Sequence, residues 1–404
     1  MLPNFAARTT NRTRTVGVVS KNLSADVVVV GGGIVGVATA TLAAEAGLSV
    51  VLCERENLAA GASGRNQGLV IGPQPPEMAA ISARGLTHYE ELHDASGGAF
   101  VFDRQSHGCL MVRNDTAGAL RGEALRTAEP LLGPTIASAT LNDDARRIDP
   151  SGAVAAWAER GRRAGAALLT GCDVKELLRQ GSRVVGVATD QGRITAGTVV
   201  VAAGPWSWRV CRSLPFDVPV RGARGWIVVT RPAPFRLRHA IEDVGWDQAK
   251  DGLVAPTVGD FANGYRPPPV LAGLLQQDHQ GRLLLGASLQ ISPAEHPEGD
   301  DALRLVCGRA AELIPASVGL EVAEIRTCRR PLSADGLPLH GPAPGSDGVV
   351  LACGHGSKGI TWGPGSAEAI VAGLVSGWWD PALSPSRFDP SRFDVVAGAS
   401  AAVS

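Results

Sequence analysis

Val27-Val28-Val29-Val30-Gly31-Gly32-Gly33-Ile34-Val35-Gly36, with Glu54-Arg55 further on, decides the fold of this chain. Four valines predict a buried strand. The Gly-x-Gly-x-x-Gly turn then feeds an alanine-rich helix over 37–46, which Gly47 stops. Residues 48–52 predict the next strand, and Glu54 closes the unit. Each glycine has a separate duty in a dinucleotide site: Gly31 allows the tight turn, Gly33 lets the backbone approach a pyrophosphate, and Gly36 lets the helix pack close to the strand. Ile34 and Val35 open the helix, whose free N–H groups and partial positive charge suit phosphate. Glu54 is placed to accept both hydroxyls of a ribose. The turn alone is a weak signal; strand before, helix after and acid at the end make it specific.

Three more stretches surround this unit. Ala60-Gly61-Ala62-Ser63-Gly64-Arg65-Asn66-Gln67-Gly68 is a polar, glycine-rich loop able to wrap a second face of a dinucleotide. Asp149-Pro150 opens a helix to about residue 164. A short strand at 167–170 follows, and then a meander at 173–178, 184–189 and 193–196 with turns at Gly181-Ser182 and Gln191-Gly192. A separate buried strand at 198–203 ends at Gly204-Pro205-Trp206-Ser207, a second close backbone approach. Lastly, Cys328-Arg329-Arg330-Pro331-Leu332-Ser333-Ala334-Asp335-Gly336-Leu337-Pro338 leads to a strand at 349–352. The loop Gly354-His355-Gly356-Ser357-Lys358-Gly359-Ile360 comes next, with a helix over 363–374.

Between these stretches the pattern changes. Residues 77–95 predict a helix with Tyr89 and Leu92 on one side. Residues 218–230 and 281–289 are β-rich and flank a Pro/Gly-rich stretch at 255–269. Residues 300–314 predict an amphipathic helix with Leu303, Val306, Ala310, Leu313 and Ile314 on one face. The expected class is α/β. A Rossmann-like domain from 25–76, 149–209 and 326–395 is interrupted twice, at 77–148 and 210–325, by a mixed-sheet (α+β) substrate domain. Residues 1–24 read as a disordered extension without the apolar core of a secretory signal, and 396–404 as a tail.

Composition narrows the function. A chain of 404 residues with net charge -1 does not suit nucleic acid or an anionic membrane. No apolar run reaches the roughly 18 residues of a membrane helix. Seven cysteines without CxxC spacing suggest reduced thiols in a cytoplasmic protein, with neither a disulfide framework nor a metal site. Only Lys21, Lys175, Lys250 and Lys358 are lysines among 38 basic residues, so a site that needs lysine has few sources.

Taken together, the four regions resemble the D-amino-acid oxidase (DAO) superfamily of FAD-dependent oxidoreductases over residues 25–395. The branches most similar are glycine oxidase, sarcosine oxidase, D-amino-acid dehydrogenase and the β subunits of opine and hydroxyproline dehydrogenases. The Arg330-to-Pro338 run followed by Gly354 to Ile360 carries most of the specificity. The resemblance implies non-covalent FAD in an extended pose. Gly31, Gly33, Ile34, Val35 and Gly36 would hold its pyrophosphate, Glu54 its ribose, and Arg55 would lie near the adenosine. Ser63, Arg65, Asn66, Gln67 and Gly68 would line the way to the flavin. Val174 would meet the adenine through its backbone, and Ala203, Gly204 and Trp206 would flank the cofactor. Gly356, Ser357, Lys358, Gly359 and Ile360 would face the pyrimidine edge of the flavin, where N–H groups and the Lys358 cation oppose negative charge.

The resemblance also implies a substrate side. Arg330 would clamp a substrate carboxylate bidentately, which lysine cannot do. Arg329 is its rival, since one of the two could pair with Asp335. Tyr265 would be a second carboxylate partner or a packing aromatic, and His355 a flavin-edge contact or a structural histidine. Cys328 raises the alternative of a covalent flavin link, which the Arg-Arg-Pro that follows disfavours. The expected reaction is oxidation of an amino acid or amine to an imine, by hydride transfer to flavin N5. The lysine-poor substrate domain offers no cation for fast reaction with oxygen, which favours a dehydrogenase. Two alternatives stay open: a tailoring oxidase on a cyclic imino acid or carrier-linked amine, and a flavin-binding subunit of a hetero-oligomer. Partners are thus a small-molecule amine and, in either case, another copy or another subunit.

Overall fold

The structure, a computed structural model, describes residues 22–70, 76–103, 108–244, 270–291 and 300–396. Tyr265 and the stretch at 255–269 lie outside the described residues. Among those described, the strands form three sheets.

The first sheet has a parallel centre. β19 (Val349–Cys353), β12 (Gly192–Val201), β1 (Asn22–Val30), β2 (Val50–Glu54) and β9 (Ala167–Thr170) lie side by side in that order, all parallel. β10 (Val174–Gln180) and β11 (Arg183–Thr189) continue the sheet antiparallel along the first half of β12, and β18 (Leu339–Pro342) pairs antiparallel with β19. β1 begins at Asn22, inside the stretch read as an extension, because Asn22 to Ala25 pair with Arg193 to Ala196. The strands expected separately at 193–196 and 198–203 are one strand, β12. It runs unbroken along β1 while its other edge changes partner, from β11 to β19.

The four valines form one apolar run because both faces of β1 are covered. Val27 and Val29 pack with α1 (Ile34–Glu45), α5 (Pro150–Arg163) and α8 (Gly359–Ser376). Val28 and Val30 pack with Leu177, Val184 and Ile194 of the meander. All four are at most 5% exposed, and each such burial contributes about 2 kcal/mol. Asp149 caps α5 by accepting from the Ser151 N–H at 3.1 Å, with Pro150 in the first turn.

The second sheet is mixed. Its order is β17 (Val322–Ser333), β13 (Val220–Pro232), β16 (Arg282–Ile291), β15 (Val270–Gln277), β14 (Ala240–Asp243), β5 (Cys109–Arg113), β7 (Ser138–Asn142) and β6 (Leu120–Arg121). Strands from both interrupting blocks share it, joined by the parallel pair β14–β5. The Cys328-to-Ser333 run, read as an approach to a strand, is itself half of the edge strand β17. Val306, Ala310 and Leu313 of α7 (Asp300–Leu313) bury against this sheet, as the 3.6 periodicity predicts, while α4 (Gly122–Ala128) adds Leu125. A small sheet of β3 (Leu69–Val70), β8 (Arg146–Ile148) and β4 (Phe102–Asp103) completes the set.

Helix α8 starts at Gly359, earlier than residue 363, so Pro364 lies within it. Proline has no N–H to give the carbonyl four residues back, which is that of Ile360. The Tyr89 hydroxyl of α3 (Ala79–Ala95) supplies the missing donor at 2.7 Å to the Ile360 oxygen, in a buried site. Close approach of the two helices depends on Gly85 and Gly365, where a Cβ would overlap the carbonyls of Thr361 and Ile81. Tyr89→Phe therefore leaves a buried carbonyl unsatisfied and should cost about 1–3 kcal/mol in urea unfolding. Pro364→Ala in the same chain returns an N–H and should recover part of that loss. An additive double mutant would contradict the link.

Candidate active site

Because the five central strands are parallel, their carboxyl ends share one edge, where open α/β sheets place ligands. A cavity of about 630 Å³ opens there. Every site residue expected from the sequence borders it except Gly36 and Tyr265, the latter outside the described residues. Gly36 sits behind the turn. A side chain there would overlap the Gly31 carbonyl and press on Ala202, so its duty is helix-to-strand packing as expected. Gly31 has φ +115°, and a Cβ on it would come 2.5 Å from the Ala202 oxygen at the end of β12. Gly33 also makes room for Ser63, whose Oγ accepts the Ile34 N–H at 2.9 Å.

One end of the cavity carries an acid and a stacked cation. Glu54 accepts the Gly32 N–H at 2.7 Å and the Glu56 N–H at 2.8 Å. Each carboxylate oxygen keeps a lone pair for a further donor, so two ribose hydroxyls suit it. The Arg55 guanidinium lies 3.9 Å over the Trp206 ring, a cation–π stack that flanks this end. Val174 borders the same end. So do Cys53 and Cys172, which spacing alone could not bring together.

The polar loop forms a second wall and a joint. α2 (Ala62–Arg65) carries Ser63 and Arg65, and Arg65 reaches the Thr327 carbonyl of β17 at 3.3 Å. Asn66 holds its own loop: its amide donates to the Ala62 and Ser63 carbonyls and accepts from the Gly68 N–H. Gln67 crosses to the second sheet, donating to the Leu274 and Leu284 carbonyls at 2.8 and 3.0 Å. Gly286 leaves the room for it, since a Cβ there would lie 2.6 Å from the Gln67 amide.

At the other end stands the loop after β19. Lys358 ends a 3₁₀ turn, Gly356–Lys358, that runs into α8. It was expected as a cation at the pyrimidine edge of the flavin. Its Nζ lies 3.5 Å from Oε1 of Glu242 on β14, an acid the sequence did not bring to it, both side chains largely buried. Glu242 was missed. Alternation places it opposite buried Ile241, but nothing in the sequence shows that this opposite face borders the cavity. His355 turns its ring into the protein, with Nε2 3.0 Å from Ser366 Oγ and 3.4 Å from His340 Nε2. Of the two readings of His355, this geometry is that of the structural histidine.

The floor of the cavity belongs to the second sheet. Arg330 reaches over Gly225, where a Cβ would collide with the guanidinium, and Nη1 donates to the Ser288 carbonyl at 2.6 Å. Among the described residues no carboxylate pairs with Arg330. Burial pulls its pKa down from the usual arginine value, yet a guanidinium stays charged. Asp335, the expected rival partner, is held bidentately by Arg392 at 2.7 and 3.1 Å. Cys328 borders the cavity, and burial pushes its thiol up, away from the thiolate that a flavin link needs. All seven cysteines are free. Among the described residues no cluster suits a metal ion, and no helix is long and apolar enough to cross a membrane.

An extended dinucleotide fits this set of groups: an acid for a ribose, a glycine cradle that a Cβ would fill, helix N–H groups, and a cation at the far loop. Burial also sets the acid response of the far loop. It lowers His355 to about 4 and His340 well below its ordinary value. Both are neutral when folded and protonate near pH 6.5 when unfolded. Their contribution is therefore complete above pH 6.5 and lost as pH falls towards 4. His355 alone should account for about 2 kcal/mol of lost stability between pH 7 and pH 5. Urea unfolding at both values checks this, and His355→Asn should remove its share of the difference and leave that of His340.

Comparison with known proteins agrees with this geometry. The family model for DAO, FAD-dependent oxidoreductases, matches residues 26–372. The glycine oxidase of Pseudomonas aeruginosa is 27% identical over 395 residues, covering 91% of this chain and 99% of that protein. The crystal structure of L-proline dehydrogenase from P. horikoshii superposes with a TM-score of 0.76 at 20% identity, over 93% of this chain and 99% of that one. L-α-glycerophosphate oxidase from Mycoplasma pneumoniae, a structure with FAD bound, gives 0.70 at 18% identity, over 88% and 95%. The cofactor of this enzyme is FAD, and the chain belongs to the DAO family of FAD-dependent oxidoreductases.

Proposed function

We propose that the chain oxidises the C–N bond of an amino acid or related amine to an imine, which water then hydrolyses to an oxo acid and ammonia or an amine. Bound FAD supplies the hydride acceptor. The α1 N-terminus and the Gly31 and Gly33 backbone hold the pyrophosphate, Glu54 the ribose, and residues 356–360 the pyrimidine edge. Segments 77–148 and 210–325, together with the Arg330 end of β17, supply the substrate side.

The observation that carries the reading is Arg330. Its guanidinium borders the cavity, is anchored by one bond to Ser288, and meets no carboxylate among the described residues. A partly buried planar cation beside a nucleotide cavity suits a substrate carboxylate, held bidentately. That clamp fixes the reacting carbon in one orientation and lowers the entropic part of the barrier. His355, lowered to about 4 and engaged with Ser366, supplies no base, so the amine reacts in its neutral form. The name of the P. aeruginosa relative, an oxidase of glycine, agrees with an amino-acid substrate.

The test is anaerobic bleaching of the oxidised flavin band by D-, L-, N-methyl and cyclic amino acids. At least one class should reduce the flavin. Arg330→Lys should lower kcat/KM at least about tenfold, chiefly through KM, because one point charge replaces a two-bond fork. A holoenzyme reduced by none of them, or an unchanged KM in the variant, would contradict the reading.

A further inference from the structure

Glu242 is a buried acid on the floor of the cavity that the reaction above does not use. Its side chain is 12% exposed and borders the cavity. Its neighbour Lys358 lies at 3.5 Å, and neither carboxylate oxygen takes a hydrogen bond among the described residues. The titratable groups that face it are Lys358 from the loop after β19 and the Cys109 thiol from β5, which burial and the Glu242 charge push up. Asp243, on the other face of β14, is engaged with Arg309. A carboxylate taken out of water at such cost usually has its lone pairs filled. Here one oxygen meets a cation loosely, and the other takes no hydrogen bond among the described residues.

The ladder places Glu242 far from Arg330. Glu242 pairs with Leu274, and Leu274 with Gly286. Ser288, which anchors the Arg330 guanidinium, lies two residues further along β16, two strands away from β14. At about 3.4 Å per residue and 4.8 Å between strands, the two positions are roughly 12 Å apart. An α-amino group lies only about 3 Å from its own carboxylate. A substrate clamped at Arg330 therefore keeps its reacting amine near that end, and Glu242 is left for something more distant. The floor between the two charges carries the side chains of Ile227 and Leu274, with the Gln67 amide seated over Gly286 beside them.

We propose that Glu242 is a specificity residue that receives a second, cationic nitrogen at the end of an aliphatic side chain. The substrate class is then a basic amino acid. Its α-carboxylate lies on Arg330, its methylenes pass Ile227 and Leu274 beside the Gln67 amide, and its terminal ammonium donates to Glu242 beside Lys358. This rests on the catalytic reading above.

The experiment compares isosteric pairs on the holoenzyme: ornithine against norvaline and lysine against norleucine, in both enantiomers, by anaerobic flavin reduction. A charged hydrogen bond of this kind should favour the basic member roughly ten- to hundredfold in kcat/KM. In Glu242→Gln the ratio of basic to neutral substrate should fall towards one, and Glu242→Asp should restore part of it. A purely structural role would lower both rates and leave the ratio unmoved. Wild-type enzyme that is reduced as readily by norleucine and norvaline as by lysine and ornithine overturns this proposal alone, whether or not the variants fold. An enzyme that no amino acid reduces overturns the catalytic reading and this one with it.

Discussion

Five parallel strands that end on one edge are the constraint from which the site follows. A parallel strand cannot turn straight into its neighbour, so each must leave the sheet at the same side through a loop. The loops after β1, β2, β9, β12 and β19 therefore crowd one edge. The crowding explains the glycines: at Gly31 and Gly36 the turn after β1 presses on the end of β12 so closely that a side chain would collide with backbone. The carboxyl ends also expose unpaired backbone groups and the start of α1, which makes the edge a place for phosphates.

The second sheet adds charged side chains to the edge where the parallel strands end. It approaches the same cavity through β17, β13, β16, β15 and β14, and Gln67 ties the two halves together by donating to carbonyls of β15 and β16. Each half contributes what the other lacks. The parallel sheet offers backbone donors and one acid. The mixed sheet offers fixed side-chain charges, Arg330 and Glu242, at separate places along its face. The loop that carries Lys358 belongs to the first half but meets Glu242 of the second, so its position depends on both. Behind it, Tyr89 fills the gap that Pro364 leaves in α8.

Much of the parallel sheet and its loops was legible in the sequence, for a physical reason. Period, turn residues and glycines report local backbone demands, and these loops are governed by such demands. β12 was misread as two strands because Gly197 and the change of edge partner look like a break when only one chain is seen. The start of α8 was misread because proline ordinarily stands in the first turn of a helix, and what lets it stand deeper here, Tyr89, lies on another helix. Side-chain pairings were the least legible. Asp335 pairs with Arg392 and Lys358 faces Glu242, both contacts across long separations that spacing does not encode. Sequence left His355 between a flavin-edge contact and a structural histidine, because the partner of its ring, Ser366, lies on the following helix and no spacing marks it.

The central claim is that glycine-rich loops from both ends of the chain grip one extended FAD without a covalent bond. The most direct measurement is the flavin content of purified protein before and after denaturation. The account predicts a yellow protein that releases close to one equivalent of FAD per chain into the supernatant on acid precipitation, with no flavin mass on any peptide. A colourless, folded protein that takes up no FAD on titration would contradict it.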